Sequence, residues 1–139
     1  MKVPVFVVFG SLLLGCSSDA KRQAAVLAAA VDSFRRAETD SKNAEAKRVA
    51  AVACTDEAVC DAKRACVAAV DPTARALLLK KEVEQSVEAI ESKRVPSDSP
   101  EARDLPAKLD EAEKLLSSGR QMMSACDRKL AELELRFGR

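Results

Sequence analysis

Four cysteines, Cys54, Cys60, Cys66 and Cys126, are the residues of this sequence best suited to chemistry. Their thiols can form disulfides, bind a soft metal or exchange disulfides with other proteins. A zinc site is disfavoured because the 139-residue chain contains no histidine and no pair of cysteines separated by two residues. The same spacing disfavours a redox-active dithiol. Two structural disulfides are therefore the expected chemistry.

Other kinds of catalysis find no candidate site in the sequence. Without histidine, a nucleophile of the Ser-His-Asp or Cys-His type cannot be assembled. The carboxylates lie in polar stretches, which offer no environment for paired-acid catalysis, and no glycine-rich phosphate loop is present. We therefore expect a protein that is not an enzyme and that holds no cofactor and no metal.

A fifth cysteine, Cys16, follows an apolar leader. Residues 1–15, MKVPVFVVFGSLLLG, carry a positive charge at Lys2 and continue as an uncharged apolar run from Val3 to Leu14. This is the layout of a secretory signal peptide. The run is too short to span a bilayer, which requires about 20 helical residues. The sequence thus predicts a signal peptide over 1–15 and a mature domain over 16–139.

The end of the leader, Leu13, Leu14, Gly15 and Cys16, resembles the lipobox of bacterial lipoproteins. The resemblance covers this segment alone and implies that Cys16 is lipidated and becomes the first mature residue. Two or three acyl chains would hold the protein stably on a membrane. The alternative is an ordinary signal peptide that happens to end beside a cysteine.

The residues after Cys16 refine the expected location. Ser17 and Ser18 stand where an aspartate would redirect such a protein, so the resemblance implies the outer membrane if the cell is diderm. The cell envelope is oxidising, which favours disulfides between the other four cysteines. Removal of Lys2 with the leader leaves 22 basic residues against 22 acidic ones. This balance argues against a nucleic-acid partner.

The composition of the mature sequence predicts an all-α fold. It is rich in alanine, and it retains two glycines and two aromatic residues, Phe34 and Phe137. Such a composition favours helices over strands. Three helices are expected over about 19–54, 56–94 and 100–137. Thr55 is the expected cap of the second, and Pro72 predicts a kink or a restart within it.

Apolar residues repeat every three or four positions in the third helix, which is typical of coiled-coil packing. The repeat comprises Leu105, Leu109, Ala112, Leu116, Gly119, Met123, Cys126, Leu130, Leu133 and Phe137. We expect Gly119 to permit close helix approach. The second helix has a looser row. The first has a good row up to Phe34, but residues 35–48 offer only alanines to a partner.

We therefore predict an elongated, antiparallel three-helix bundle, with a helical tether plus a two-helix antiparallel hairpin as the alternative. The turn Val95–Pro100 joins the second and third helices, and Ser99 and Pro100 open the third. In the three-helix arrangement, this turn and the lipid at Cys16 lie at the same membrane end. The cysteine-rich end then points away from the membrane.

The register of this hairpin selects the disulfide pairing. Residues equally distant from the centre of the turn face each other, and Cys66 and Cys126 lie within one helical turn of that register. Cys60 and Cys126 lie more than two turns from it. The sequence thus predicts Cys66–Cys126, and leaves Cys54–Cys60, which can form a bridge only if the helix breaks between them.

Two functions remain open at this point. The preferred one is a non-enzymatic envelope lipoprotein that is anchored by Cys16 and binds another envelope component through its helical surfaces. The alternative is a cysteine-based redox or stress sensor of the envelope, with Cys54 and Cys60 as the switch. Self-association through an exposed seam is a further possibility.

Overall fold

The structure is a computed structural model that describes residues 16–138, with Cys16 and Ser17 described by their backbone alone. The described residues form four α-helices: α1 (Cys16–Arg36), α2 (Lys42–Ala51), α3 (Glu57–Glu91) and α4 (Pro100–Phe137). A 3₁₀ helix, Thr39–Ser41, joins α1 to α2. No strand occurs in the described part of the chain, which confirms the all-α prediction. The predicted signal peptide, residues 1–15, lies outside the described residues.

The long helices α3 and α4 form the antiparallel hairpin of the structure, and they are about 53 and 57 Å long. The predicted cap of α4 is present, because Ser99 Oγ accepts a hydrogen bond from the Ala102 amide at 3.2 Å. Pro100 occupies the first turn of that helix. The helix α3 runs without interruption through Pro72, so the chain does not restart there.

The cap of α3 differs from the prediction, which assigned it to Thr55. The carboxylate of Asp56 accepts hydrogen bonds from the amides of Ala58 and Val59, at 2.9 and 3.3 Å. Thr55 is engaged elsewhere, because its own amide donates to Gln23 Oε1 at 2.8 Å. The N-cap of α3 therefore lies one residue later than predicted.

The first predicted helix, over about 19–54, is two helices rather than one. The break falls on Thr39, Asp40 and Ser41, whose short polar side chains compete for backbone hydrogen bonds and favour turns. Lys42 stabilises the end of α1, because its ammonium donates to the backbone oxygens of Phe34 and Arg35, the latter at 3.0 Å. The same ammonium lies 4.7 Å from the centre of the Phe34 ring. Desolvation lowers the pKa of Lys42.

This break reverses the chain and sets the topology. Asp40, in the turn after α1, forms a salt bridge with Lys81 of α3 at 2.6 Å. The first part of the chain therefore extends along α3 as far as Lys81. The chain then returns through α2 to the start of α3, where Gln23 of α1 contacts Thr55. The start of α1, residues 52–56 and the last turns of α4 therefore share one end, here called the basal end.

The opposite end, here called the distal end, is the α3–α4 turn over residues 92–99. The expectation that the start of the mature chain lies beside this turn is wrong, because the first stretch folds back on itself instead of crossing the bundle once. The tether alternative is not what the structure contains either, since Leu27 and Val31 of α1 are fully buried.

The core is concentrated in the basal half, where all four helices meet. Its largest fully buried side chains are Leu27, Val31, Val49, Val59, Val70, Cys66 and Cys126. Beyond Lys81 only α3 and α4 continue. Val83 and Ala112 are still buried in this part of the seam, whereas 38% of Val87 and 42% of Leu109 are exposed.

Gly119 lies at a close approach between α4 and α3. A β-carbon at this position would overlap Thr73 Oγ1 and lie 3.0 Å from the backbone oxygen of Ala69. Thr73 Oγ1 donates to that same oxygen at 2.9 Å, so the hydroxyl is held in place. The predicted role of Gly119 in close helix approach agrees with this geometry.

We expect Gly119→Ala to lower the free energy of unfolding by about 1–2 kcal/mol, because overpacking outweighs the roughly 1 kcal/mol gained in helix propensity. Urea denaturation followed by circular dichroism measures the change. Adding Thr73→Ala removes the overlapping hydroxyl and should restore part of the loss, with Thr73→Ala alone as the reference. A Gly119→Ala protein as stable as the parent would contradict the close approach.

Candidate functional site

The basal end gathers the residues that the sequence singled out. The backbone of Cys16 begins α1 at this end. Cys54 lies in the segment that leads into α3, and Cys60 lies in the first turns of that helix. Cys66 and Cys126 lie further along the α3–α4 seam. The attachment residue and both cysteine pairs therefore occupy the basal half of the bundle.

The pair Cys54–Cys60 forms a local bridge. Its Cα atoms are 5.2 Å apart, within the range that a disulfide requires. The bridge is possible because α2 ends at Ala51 and α3 begins only at Glu57, which gives the helix break that the pairing needs. Both cysteines are partly exposed to solvent.

The pair Cys66–Cys126 joins the two long helices. Its sulfur atoms are 2.00 Å apart and its Cα atoms 4.5 Å apart. Both side chains are fully buried among the apolar residues of the core. The sequence analysis predicts both pairings, Cys66–Cys126 from the hairpin register and Cys54–Cys60 by elimination. The register holds because both cysteines face the seam and α3 continues through Pro72.

A buried polar contact at the basal end was missed from the sequence. Gln23 of α1 is only 8% exposed, and its side-chain amide donates to Asp19 Oδ2 at 2.8 Å and to Thr55 Oγ1 at 3.1 Å. Its oxygen accepts from the Thr55 amide. The sequence does contain one indication of this contact. Gln23 lies three residues after Ala20 and four before Leu27, so it shares the buried face of α1 with them. These bonds fasten the start of α1 to the segment beside Cys54.

A cavity of about 520 Å³ lies between α1 and the last turns of α4. We call it the α1–α4 groove. Its apolar wall consists of Ala24, Ala25 and Ala28 on α1, and of Leu130, Ala131, Leu133 and Phe137 on α4. The groove exists because the alanines of α1 are too short to fill the space opposite the larger residues of α4.

Charged residues form the rim of the groove. Lys21 and Glu134 lie toward the basal end, and Arg35 and Asp127 lie at the other end. Arg35 forms an ion pair with Asp127, and its guanidinium also donates to the sulfur of Met123 at 3.6 Å. This pair joins the last turn of α1 to α4, which runs antiparallel to it. The arrangement offers an elongated apolar surface with charges confined to its edges.

Within residues 16–138, no group of three or more His, Cys, Asp or Glu side chains could hold a metal ion. None of the helices described here is long and apolar enough to cross a membrane. Comparison with models of protein families finds no match for this chain, and none is found among curated proteins or solved structures.

Proposed function

We propose that this protein is an envelope lipoprotein, anchored by lipid at Cys16, that acts as a non-enzymatic structural or accessory subunit. Its partner would be another envelope protein that contributes amphipathic helices. The observation that carries this proposal is the exposed part of the α3–α4 seam: four helices pack together toward the basal end, whereas beyond Lys81 only α3 and α4 continue, and Val87 and Leu109 are partly exposed there.

The open seam supports a helical partner. Val87 and Leu109 continue the apolar rows that are covered further toward the basal end, yet each remains more than a third exposed. In the basal half, α1 and α2 provide the cover. Two helices from a partner would complete the same four-helix cross-section in the distal half.

The position of the attachment residue supports the same function. Cys16 lies at the basal end, and α3 and α4 extend about 50 Å from there to the turn over residues 92–99. Lipid at Cys16 would place the basal end on the membrane and present the distal seam to other envelope proteins. If the cell is diderm, the lipobox resemblance favours the outer membrane.

The sensor alternative is less well supported. The partly exposed Cys54–Cys60 bridge is the more accessible of the two, but it closes a segment of only six residues. Reduction of this bridge would free only the short segment between the two cysteines, because Gln23 and the buried residues of α1 still hold the basal end together. A signal by this route would leave the Cys66–Cys126 bridge intact.

The partner is tested by photo-crosslinking in cells. A photoreactive amino acid replaces Val87 or Leu109 in the lipidated protein, and the matched control replaces the exposed Lys47 of α2. We expect one discrete adduct from the two seam positions, mapped to an amphipathic helix of an envelope protein, and none from Lys47. An adduct with a second copy of this chain, or equal labelling from all three positions, would refute the proposed partner.

A further inference from the structure

We propose that the α1–α4 groove receives one acyl chain of the lipid attached to Cys16 while the protein is away from the membrane. The inference rests on the proposed lipidation. It goes beyond that proposal because it assigns a second, internal position to a chain that otherwise serves only as an anchor.

The lining of the groove suits an aliphatic chain. Ala24 and Leu133 form its floor and are nearly buried, and Leu130 and Phe137 extend the apolar surface along α4. Water in such a groove finds few hydrogen-bond partners on the wall, so an apolar ligand displaces it favourably. The charged residues stay at the rim.

The size of the groove suits a single acyl chain. A cavity of 520 Å³ is within the range of ligand sites in proteins. If a methylene group takes up as much space as a water molecule in the liquid, about 30 Å³, the groove holds about 17 such groups. That volume corresponds to one fatty acyl chain.

The position of the groove favours an acyl chain that is attached to the same protein molecule. Lys21, the first lining residue, follows Cys16 by five residues, or about 7.5 Å along α1. The groove then extends to Arg35, about 21 Å further along the helix. A chain attached at Cys16 thus begins near the basal opening. Covalent attachment also raises its effective concentration far above that of a free fatty acid.

The test uses a fatty acid with a photoreactive diazirine near its end, fed to cells that make the full-length protein. The lipidated protein is irradiated both in the membrane and after transfer to detergent-free buffer, and the adducts are mapped by mass spectrometry. In buffer we expect an internal adduct between the lipid on Cys16 and residues 130–136 of α4. On the membrane, that adduct should decrease at least fivefold, because the bilayer takes up the chain.

Two substitutions that fill the groove provide the specific test. Ala28→Phe and the milder Ala25→Leu should each reduce the adduct in buffer at least fivefold. Ala29→Phe is the matched control, because Ala29 is exposed and does not line the groove. It should leave the adduct unchanged. Circular dichroism verifies that all three variants keep the helical content of the parent.

The outcomes separate the two proposals. If Cys16 carries no label in any sample, the proposed lipid attachment is wrong. If Cys16 is labelled but the adducts in buffer lie outside the groove, or do not respond to Ala28→Phe and Ala25→Leu, the acyl-chain site is wrong and the anchor stands. Groove adducts of equal yield with free fatty acid in Cys16→Ser would likewise refute occupancy by the protein's own chain.

Discussion

Replacing both Cys66 and Cys126 by alanine is expected to lower the free energy of unfolding by about 4 kcal/mol. The two cysteines have a sequence separation of 60, and a cross-link over a loop of that length destabilises the unfolded chain by about this amount. Both side chains are fully buried, so the substitution also removes packing from the core. Small domains are stable by only about 5–15 kcal/mol, and the loss is therefore a large share of the total.

The matched control is the double alanine variant of Cys54 and Cys60. Its bridge spans six residues, so the same argument predicts a loss of only about 2 kcal/mol. Urea denaturation under non-reducing conditions compares the variants, and peptide mapping of protein from the envelope identifies the bonded pairs. Equal losses in the two variants, a peptide joining Cys60 to Cys126, or four free thiols would contradict the pairing.

The second large effect concerns the anchor. Cys16→Ser is expected to abolish incorporation of labelled fatty acid and to release the protein from the membrane fraction. The thiol is the atom to which the lipid would be attached, and a serine hydroxyl does not replace it. The expected loss of the label is therefore complete rather than partial.

The control for this prediction is Ser17→Ala, which changes the neighbouring residue and keeps the thiol. We expect it to retain both the label and the membrane fraction. Metabolic labelling followed by membrane flotation measures both properties. Continued labelling of Cys16→Ser would show that the lipobox interpretation of Leu13–Cys16 is wrong, whatever the distribution of the protein between fractions.

The α3–α4 hairpin was predictable because its determinants are local and periodic. Ser99 and Pro100 mark the start of α4 in the sequence, and the apolar repeat of α4 fixes the face that it presents to α3. Once the turn is located, the facing positions follow from the rise per residue. Cys66 and Cys126 were matched in this way without knowledge of any contact.

The reversal of the chain between α1 and α2 was harder to predict from the sequence, because it depends on contacts between separate elements. The alanines of residues 35–48 are compatible with a continuous helix, and only Thr39, Asp40 and Ser41 indicate a turn. What stabilises the break is the ammonium of Lys42 on the last carbonyls of α1. Gln23 likewise gains its role from Thr55, 32 residues away. Neither contact has a sequence pattern of its own.

The fold-back and the two bridges together determine how the molecule responds to a pulling force. Between Cys16 and α3, the polypeptide backbone of α1 and α2 alone carries the tension. The Cys54–Cys60 bridge relieves only the few residues that precede α3. Beyond Cys66, the bond to Cys126 divides the tension between α3 and α4. A molecule pulled between its anchor and its distal turn should therefore extend first by peeling α1 and α2 away, while the long hairpin remains folded.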